Sequence, residues 1–268
     1  MGRIGRSFQL VGQSYRVLMH DKELMVLPLI SGAVIAVAVA SFAFGFGVDS
    51  AKLQQRGAEV YVPVFLMYVV TYTVGIFFQA AVIAGATERM RGGNPTIGSA
   101  LSAASRRLGS IVMWAIVAAT VGMLLRAISD RLGFVGKIIV SIVGAAWSLA
   151  TFFVVPVLVL EDRSVRGSFS RSVEVFRKTW GETVVGGINL GVAAFCAWLT
   201  LIAISGLLAM LIGTPALAFF AAGAVFLMVF FSTLQGIYVA SLYRYATDGQ
   251  AASGFDKALF DQAFVAKK

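Results

Sequence analysis

Residues 183–243 read TVVGGINLGVAAFCAWLTLIAISGLLAMLIGTPALAFFAAGAVFLMVFFSTLQGIYVASLY, and these 61 residues contain no charged side chain. A helix that crosses the hydrocarbon core of a bilayer needs about 20 apolar residues, so this stretch is too long for one span. The turn sequence Gly213-Thr214-Pro215 divides it, because glycine adopts turn dihedrals and proline cannot continue a helix. The stretch therefore predicts two transmembrane helices joined by a tight turn.

Four further uncharged runs precede it, at Leu24–Val48, Val60–Thr87, Leu108–Leu125 and Ile138–Leu160. They are continuously apolar rather than alternating, which favours helices over the strands of a membrane barrel. The first is not expected to be a cleaved signal peptide, because a long polar segment precedes it and its apolar run is too long. We predict an all-α, polytopic membrane helical bundle with six spans, at about residues 26–48, 60–86, 108–127, 136–160, 183–211 and 216–243.

The positive charges segregate between the two sides that these spans define. With both termini on one side, that side carries 17 of the 22 Lys and Arg residues and the other side carries 5. Because Lys and Arg accumulate in cytoplasmic loops, both termini are predicted to be cytoplasmic. The basic residues flank spans and form no separate basic domain, so we expect membrane lipids with anionic headgroups as partners, and not nucleic acid.

The chain is predicted to form one membrane domain built from three repeats, at about residues 1–92, 93–160 and 161–245. A cytoplasmic tail follows at residues 246–268. The order Arg, Ser, apolar, polar, apolar, apolar occurs at residues 6–11 and again at residues 171–176. At the same offset of 165, Ser14-Tyr15 corresponds to Thr179-Trp180. Each repeat is predicted to be an amphipathic cytoplasmic helix followed by a hairpin of two spans.

Apolar stripes run along two of these amphipathic helices at helical spacing. The stripes are Phe8, Val11, Tyr15 and Leu18 in the first helix, and Phe169, Val173, Phe176 and Trp180 in the third. Such a helix lies in the membrane interface, with its rings at the acyl boundary and its cations at the headgroups. The alternative, which the sequence leaves open, is that the stripes pack on the cytoplasmic end of the bundle itself.

Few residues point to chemistry. The interior of the predicted spans contains no Asp, Glu, Lys, Arg or His, and the chain has one histidine, His20, and one cysteine, Cys196. We therefore predict no catalytic residue, cofactor or metal site. The residues that we expect to contact lipid or a substrate are Gln79, Gln235, Asn189, Trp180, Arg171 and Arg177. For the three amides, the alternative role is hydrogen bonding between helices.

Two other motifs concern helix geometry. Pro156 is predicted to kink the fourth span, and Thr96 to cap a helix after the Gly92-Gly93 loop. Glu161-Asp162 at the end of the fourth span is a carboxylate pair that could serve acid–base chemistry, but the neighbouring Arg163 and Arg166 favour surface ion pairs.

The sequence resembles an uncharacterised family of bacterial six-span membrane proteins. The segments that carry the resemblance are Pro156–Asp162, Arg171-Ser172, Thr179–Glu182, Arg6–Phe8 and Asp21–Leu24. They are also distantly similar to the membrane domain of some glycerophosphoryl diester phosphodiesterases. We find no counterpart of that catalytic domain in this sequence, so the resemblance implies architecture and not the activity.

Three functions follow as hypotheses. The first is a non-enzymatic scaffold, accessory subunit or lipid-organising module, with a protein partner or a second copy as an open question. The second is a transporter or channel for a lipid-like or apolar molecule, suggested by the paired Gln79 and Gln235. The third is a lipid-modifying enzyme that uses Glu88, Glu161 or Asp162 at the cytoplasmic face.

Overall fold

A computed structural model describes the backbone of residues 3–46 and 61–248, and the side chains of residues 12–45, 61–179 and 188–248. The described part of the chain is helical and contains no strand, which confirms the all-α prediction. A 3-10 helix at Lys22–Met25 joins the first two helices. The α-helices are α1 (Arg3–His20), α2 (Val26–Phe46), α3 (Tyr61–Met90), α4 (Ile97–Ser105), α5 (Leu108–Arg131), α6 (Phe134–Ala150), α7 (Val154–Leu160), α8 (Val165–Ile212) and α9 (Pro215–Asp248).

Six helical segments are long and apolar enough to cross a membrane, as predicted. Their bounds agree with the predicted spans to within a few residues, although the predicted ends at residues 47–48 and 60 lie outside the described residues. The segments are Lys22–Gly45, Tyr61–Met90, Leu108–Arg131, Phe134–Leu160, Ile188–Ile212 and Pro215–Asp248.

The turn between the last two spans is formed as predicted. Helix α8 ends at Ile212, and Gly213 follows with a φ of 68°, in the left-handed region that favours glycine. Pro215 occupies the first position of α9, where its missing N–H is not needed and its fixed φ suits the helix. These two residues explain why the long uncharged stretch divides at this point.

The fourth span differs from the prediction, because it is interrupted rather than kinked. Helix α6 ends at Ala150 and α7 begins at Val154. Pro156 has no N–H to donate to the carbonyl of Phe152, and its ring collides with the carbonyl four residues earlier. The α-helical pattern is therefore lost just before the proline, where the N–H of Phe152 donates to the carbonyl of Leu149, three residues back, and the N–H of Phe153 donates to the hydroxyl of Ser172.

The third cytoplasmic helix also differs from the prediction, because it does not end before the fifth span. Helix α8 runs without a break from Val165 to Ile212, for 48 residues. The sequence between its two predicted parts contains no proline, so no residue in that segment forces the helix to end.

The residues form two compact units, which are described one at a time. In the first unit (residues 1–29, 82–100 and 177–268), α1 and the 3-10 helix pack against α9. Glycines allow close approach here, since a Cβ at Gly236 would lie 2.6 Å from Val82 and a Cβ at Gly223 would lie 2.5 Å from Leu201. Small residues at helix contacts are the usual packing device in membranes.

In the second unit (residues 30–81 and 101–176), α5 packs against α6 and α7. Three aromatic rings stack across this unit, with 5.8 Å between the centroids of Trp114 and Trp147 and 5.8 Å between those of Trp147 and Phe169. Phe169 lies near the start of α8, so the stack holds that end of α8 against α6.

Candidate functional site

Two carboxylates of the first unit, Asp21 and Glu88, are bound to neighbouring side chains. Asp21 is buried and accepts two hydrogen bonds from the guanidinium of Arg89. Arg89 also donates to the amide oxygen of Asn94 at 2.8 Å. This bidentate pair joins the segment before α2 to the end of α3, and Asn94 ties the following loop to it.

Glu88, the residue before Arg89, supports the N-terminal cap of α4. Its carboxylate accepts a hydrogen bond from the hydroxyl of Ser99 at 2.9 Å. The backbone N–H of Ser99 donates to Thr96 Oγ1 at 3.0 Å, and the N–H of Thr96 donates to Ser99 Oγ at 3.0 Å. This reciprocal pattern resembles a capping box and confirms Thr96 as the N-cap of α4.

The second unit contains another ion-pair cluster, at the junction of α7 and α8. Arg171 donates to Glu161 at 3.2 Å and pairs with Glu174 at 2.8 Å. Its hydrogen bond to Glu174, and after it the one to Glu161, raises the pKa of the Arg171 guanidinium, so this cation stays charged throughout the physiological range. Glu161 also pairs with Arg163, and Asp162 pairs with Arg107.

A serine from α8 joins the two halves of the interrupted fourth span. Ser172 is fully buried, and its hydroxyl donates to the carbonyl of Ala150 at 2.7 Å. The same hydroxyl accepts from the backbone N–H of Phe153 at 3.0 Å. One side chain thus satisfies two of the backbone groups that the helix break leaves free.

The six predicted contact residues occupy different environments. Arg171 lies in the ion-pair cluster, and Arg177 is exposed one and a half turns further along α8. Gln79 is half-buried on α3, and Gln235 is exposed on α9. The side chain of Trp180 lies outside the described residues. None of the described polar contacts joins two of these six residues, and the pairing of Gln79 with Gln235 stays a prediction.

Asn189 is the buried member of this set. It is 7% exposed on α8, and its amide nitrogen has no hydrogen-bond partner among the described residues. Leaving a buried donor unpaired costs about 1–3 kcal/mol. The interhelical hydrogen bond that the sequence suggested for this residue is therefore not made by its amide nitrogen.

The predicted aromatic stripes of α1 and α8 do not coincide with the buried faces of these helices. In α8 the fully or almost fully buried residues are Ser168, Ser172, Val175 and Thr179, one position before the predicted Phe169, Val173, Phe176 and Trp180. In α1, Leu18 is fully buried as the stripe requires, but Tyr15 is 44% exposed and its neighbour Ser14 is fully buried. The side chains of Phe8 and Val11 lie outside the described residues. In both helices small side chains, rather than the aromatic ones, are among the most buried.

Three structural features were missed by sequence reasoning. Asp21 and Arg89 are 68 positions apart, and no local pattern links them. Ser172 belongs to the repeated Arg-Ser sequence, which singled it out without revealing its partner. A groove on α6, described below, was missed because its residues look like an ordinary lipid-facing helix.

Metal chemistry finds no support among the described side chains, which contain no group of three or more His, Cys, Asp or Glu residues able to hold an ion. Cys196 is exposed and unpaired on α8.

Comparison with known proteins gives one match. The sequence model of a family of unknown function (DUF6159) matches residues 58–255. No curated protein matches the chain, and no solved structure matches it.

Proposed function

The chain belongs to the family of unknown function DUF6159, and we propose that it is a non-enzymatic, lipid-organising module of the bacterial cytoplasmic membrane, with both termini in the cytoplasm. Its six apolar helices make it a multi-pass membrane protein. The lipid-organising role, the absence of catalysis and the orientation are the proposed part.

The observation that carries the proposal is how little of the apolar helix surface the chain covers. In the most apolar window of each span, only 11% to 28% of the residues are buried. Large side chains such as Phe195, Leu207 and Phe226 are more than half exposed. A soluble helix of this composition would bury an apolar face in a core. Surfaces of this kind are stable when lipid chains cover them. Lipid is therefore the main partner that we propose for the exposed helix faces.

The three carboxylates that an enzyme at the cytoplasmic face would use are already occupied. Glu88 is bound to Ser99, Glu161 to Arg163 and Arg171, and Asp162 to Arg107. A general acid or base must be free to reach the proton that it transfers. Their ion pairs and hydrogen bonds support a structural role.

Exposed cations near the cytoplasmic ends of the spans support binding of anionic lipid. Arg91, Arg106, Arg166 and Arg177 are exposed, and all four belong to the side that carries the excess of basic residues. A cation near an anionic membrane surface contributes about 1 kcal/mol of attraction. Arg166 and Arg177 lie on the cytoplasmic part of α8, where they would meet the headgroups of the inner leaflet.

The repeat and its amphipathic helices support the same arrangement. Ser14 in α1 and Thr179 in α8 correspond at the offset of 165 residues, and both are fully buried. A small polar residue thus occupies an equivalent packed position in two helices. The half-buried Val173 and Phe176 beside that face are available to the acyl boundary, whereas Phe169 stacks on Trp147.

The experiment is extraction of the protein in copolymer nanodiscs, followed by mass spectrometry of the co-extracted lipids. We expect anionic phospholipid to be enriched over the bulk membrane. Arg166→Gln with Arg177→Gln should reduce the enrichment, whereas Arg126→Gln with Arg131→Gln, two cations of the opposite side, should leave it unchanged. A lipid composition equal to that of the bulk membrane contradicts the proposal.

The same purified protein separates the two alternatives. In liposomes with a fluorescent phospholipid, accelerated transfer between leaflets would favour the transporter. Chemical conversion of the lipid, lost in Glu161→Gln, would favour the enzyme. The proposed function predicts neither.

A further inference from the structure

Helix α6 carries a shallow, open groove of about 420 Å³ on its exposed side, lined by residues of this helix alone. No residue of this helix is buried, although it belongs to the fourth span. The residues that line the groove are Phe134, Lys137, Ile138, Ser141, Ile142 and Ala145. Successive lining residues are alternately three positions and one position apart, so they share one face of the helix.

The length of the groove matches one leaflet of a bilayer. It runs from residue 134 to residue 145, which corresponds to about 16 Å at 1.5 Å per residue. The hydrocarbon core of a membrane is about 30 Å thick, so one leaflet contributes about 15 Å. A single acyl chain that lies parallel to α6 would fill the groove from end to end.

The chemistry of the lining fits a phospholipid. Lys137 is the only charged residue of the groove and lies in the first turn of α6, at one end of the fourth span. The hydroxyl of Ser141 donates to the carbonyl of Lys137 at 2.9 Å, so its hydrogen is not free for a ligand. The apolar lining of the groove can therefore contact an acyl chain, while the flexible ammonium group of Lys137 binds a phosphate.

The groove is separate from the face on which α6 packs. Trp147 stacks on Trp114 of α5, and a Cβ at Gly144 would lie 3.9 Å from Leu125 of the same helix. Neither Gly144 nor Trp147 lines the groove. Helix α6 can therefore keep its contact with α5 while a lipid occupies the adjoining face.

We infer that the groove of α6 binds one phospholipid of the leaflet nearest the Leu132-Gly133 turn, with an acyl chain along Ile138 and Ile142 and the phosphate on Lys137. This inference rests on the proposed lipid-organising function, and it assigns that function a defined binding site in the leaflet opposite the basic cytoplasmic loops.

Native mass spectrometry of the delipidated protein in detergent, titrated with palmitoyl-oleoyl phosphatidylglycerol, tests the site. The wild type should bind one lipid more tightly than the rest. Lys137→Gln should weaken this first binding about fivefold, and Ile142→Trp should abolish it by filling the groove. The matched controls are Arg131→Gln, an exposed cation of the same side, and Val143→Trp, an exposed position outside the groove; both should bind like the wild type. Circular dichroism confirms that each variant is folded.

Three outcomes would overturn the site. The first is equal binding by the wild type, Lys137→Gln and Ile142→Trp. The second is displacement of the lipid by inorganic phosphate, which would indicate an anion site without an acyl chain. The third is a dimer that Ile142→Trp disrupts, which would show that a second copy covers the groove. In these cases an enrichment of anionic lipid that depends on Arg166 and Arg177 would leave the proposed function standing.

Discussion

The hydroxyl of Ser172 donates a hydrogen bond to the carbonyl oxygen of Ala150 at 2.7 Å, and so ties α8 to the last residue of α6. This carbonyl lies at the break in the fourth span. The N–H of Phe153, on the far side of the break, donates to the same hydroxyl. Proline creates the break and a serine from another helix stabilises it, which is how helical membrane proteins tolerate such interruptions.

We predict that Ser172→Ala lowers the free energy of unfolding by about 1–3 kcal/mol, because it removes a buried hydroxyl that bonds to both the carbonyl of Ala150 and the N–H of Phe153. Unfolding of the detergent-solubilised protein by a denaturing detergent, followed by circular dichroism, measures the change. Ser170→Ala is the control, since Ser170 is exposed on the same helix; it should change stability by less than about 0.5 kcal/mol. Equal effects of the two substitutions would refute the role of Ser172.

The Asp21–Arg89 pair is predicted to matter more than the Asp162–Arg107 pair. The side chain of Asp21 is 7% exposed and that of Asp162 is 88% exposed. Asp21→Asn removes the charge that balances Arg89 and should cost about 1–3 kcal/mol, whereas Asp162→Asn should cost about 0–1 kcal/mol because water screens an exposed pair. The same unfolding measurement applies, and a larger effect at Asp162 would contradict this ranking.

The contact between α3 and α9 at Gly236 is predicted to reject any larger residue. A Cβ at this position would lie 2.6 Å from Val82 Cγ1, so Gly236→Ala should destabilise the protein by about 1–3 kcal/mol. Adding Val82→Ala removes the colliding atoms and should recover part of the loss. Gly191→Ala, with nothing within 4 Å of its Cβ, is the control and should be neutral or stabilising. A double variant no more stable than Gly236→Ala alone would show that the collision is not the cause.

The proposed orientation predicts which loops a membrane-impermeant thiol reagent reaches in intact cells. In a Cys196→Ala background, Thr214→Cys in the turn before α9 should react from outside, and Asp162→Cys should react only after the cells are opened. Thr214 and Asp162 are both exposed, so accessibility reports the side of the membrane. Labelling of both from outside would refute the orientation.

The sequence was sufficient to predict the six spans, because the requirement for a long uncharged run is a property of neighbouring residues. A run such as Ile138–Leu160 contains no charge, and the hydrocarbon core excludes charge regardless of how the helices pack. The Gly213–Pro215 turn and the Thr96 cap were predictable for a similar reason, since each depends on neighbouring residues.

The features that were missed depend on distant residues. The interruption at residues 151–153 was predicted only as a kink, because its stabilisation requires Ser172 from another helix. The buried faces of α1 and α8 were not predicted for a related reason, since the sequence left open whether the aromatic stripes contact lipid or protein. Periodicity identified the aromatic stripe, but close packing selected the adjacent small residues such as Ser168 and Thr179, which allow helices to approach.

The candidate contact residues show the same limit. Arg171 and Arg177 were identified by composition, yet Arg171 is held by Glu161 and Glu174 whereas Arg177 is exposed. Their difference arises from the fold of the segment between α7 and α8, which no local pattern encodes. Lys137 was counted only as one of the five basic residues of the outer side. The groove beside it could not be predicted, because its shape depends on the folded structure around α6.

The central claim is that lipid solvates the exposed apolar faces of the helices, and a nitroxide at Ile202 in the middle of the fifth span tests it most directly. Ile202 is 53% exposed. In liposomes, Ile202→Cys carrying the spin label, in a Cys196→Ala background, should relax strongly with oxygen and weakly with a water-soluble nickel chelate, whereas Asp162→Cys should show the reverse. Strong relaxation of the label at residue 202 by the nickel chelate would mean that water covers this face, and would contradict the account.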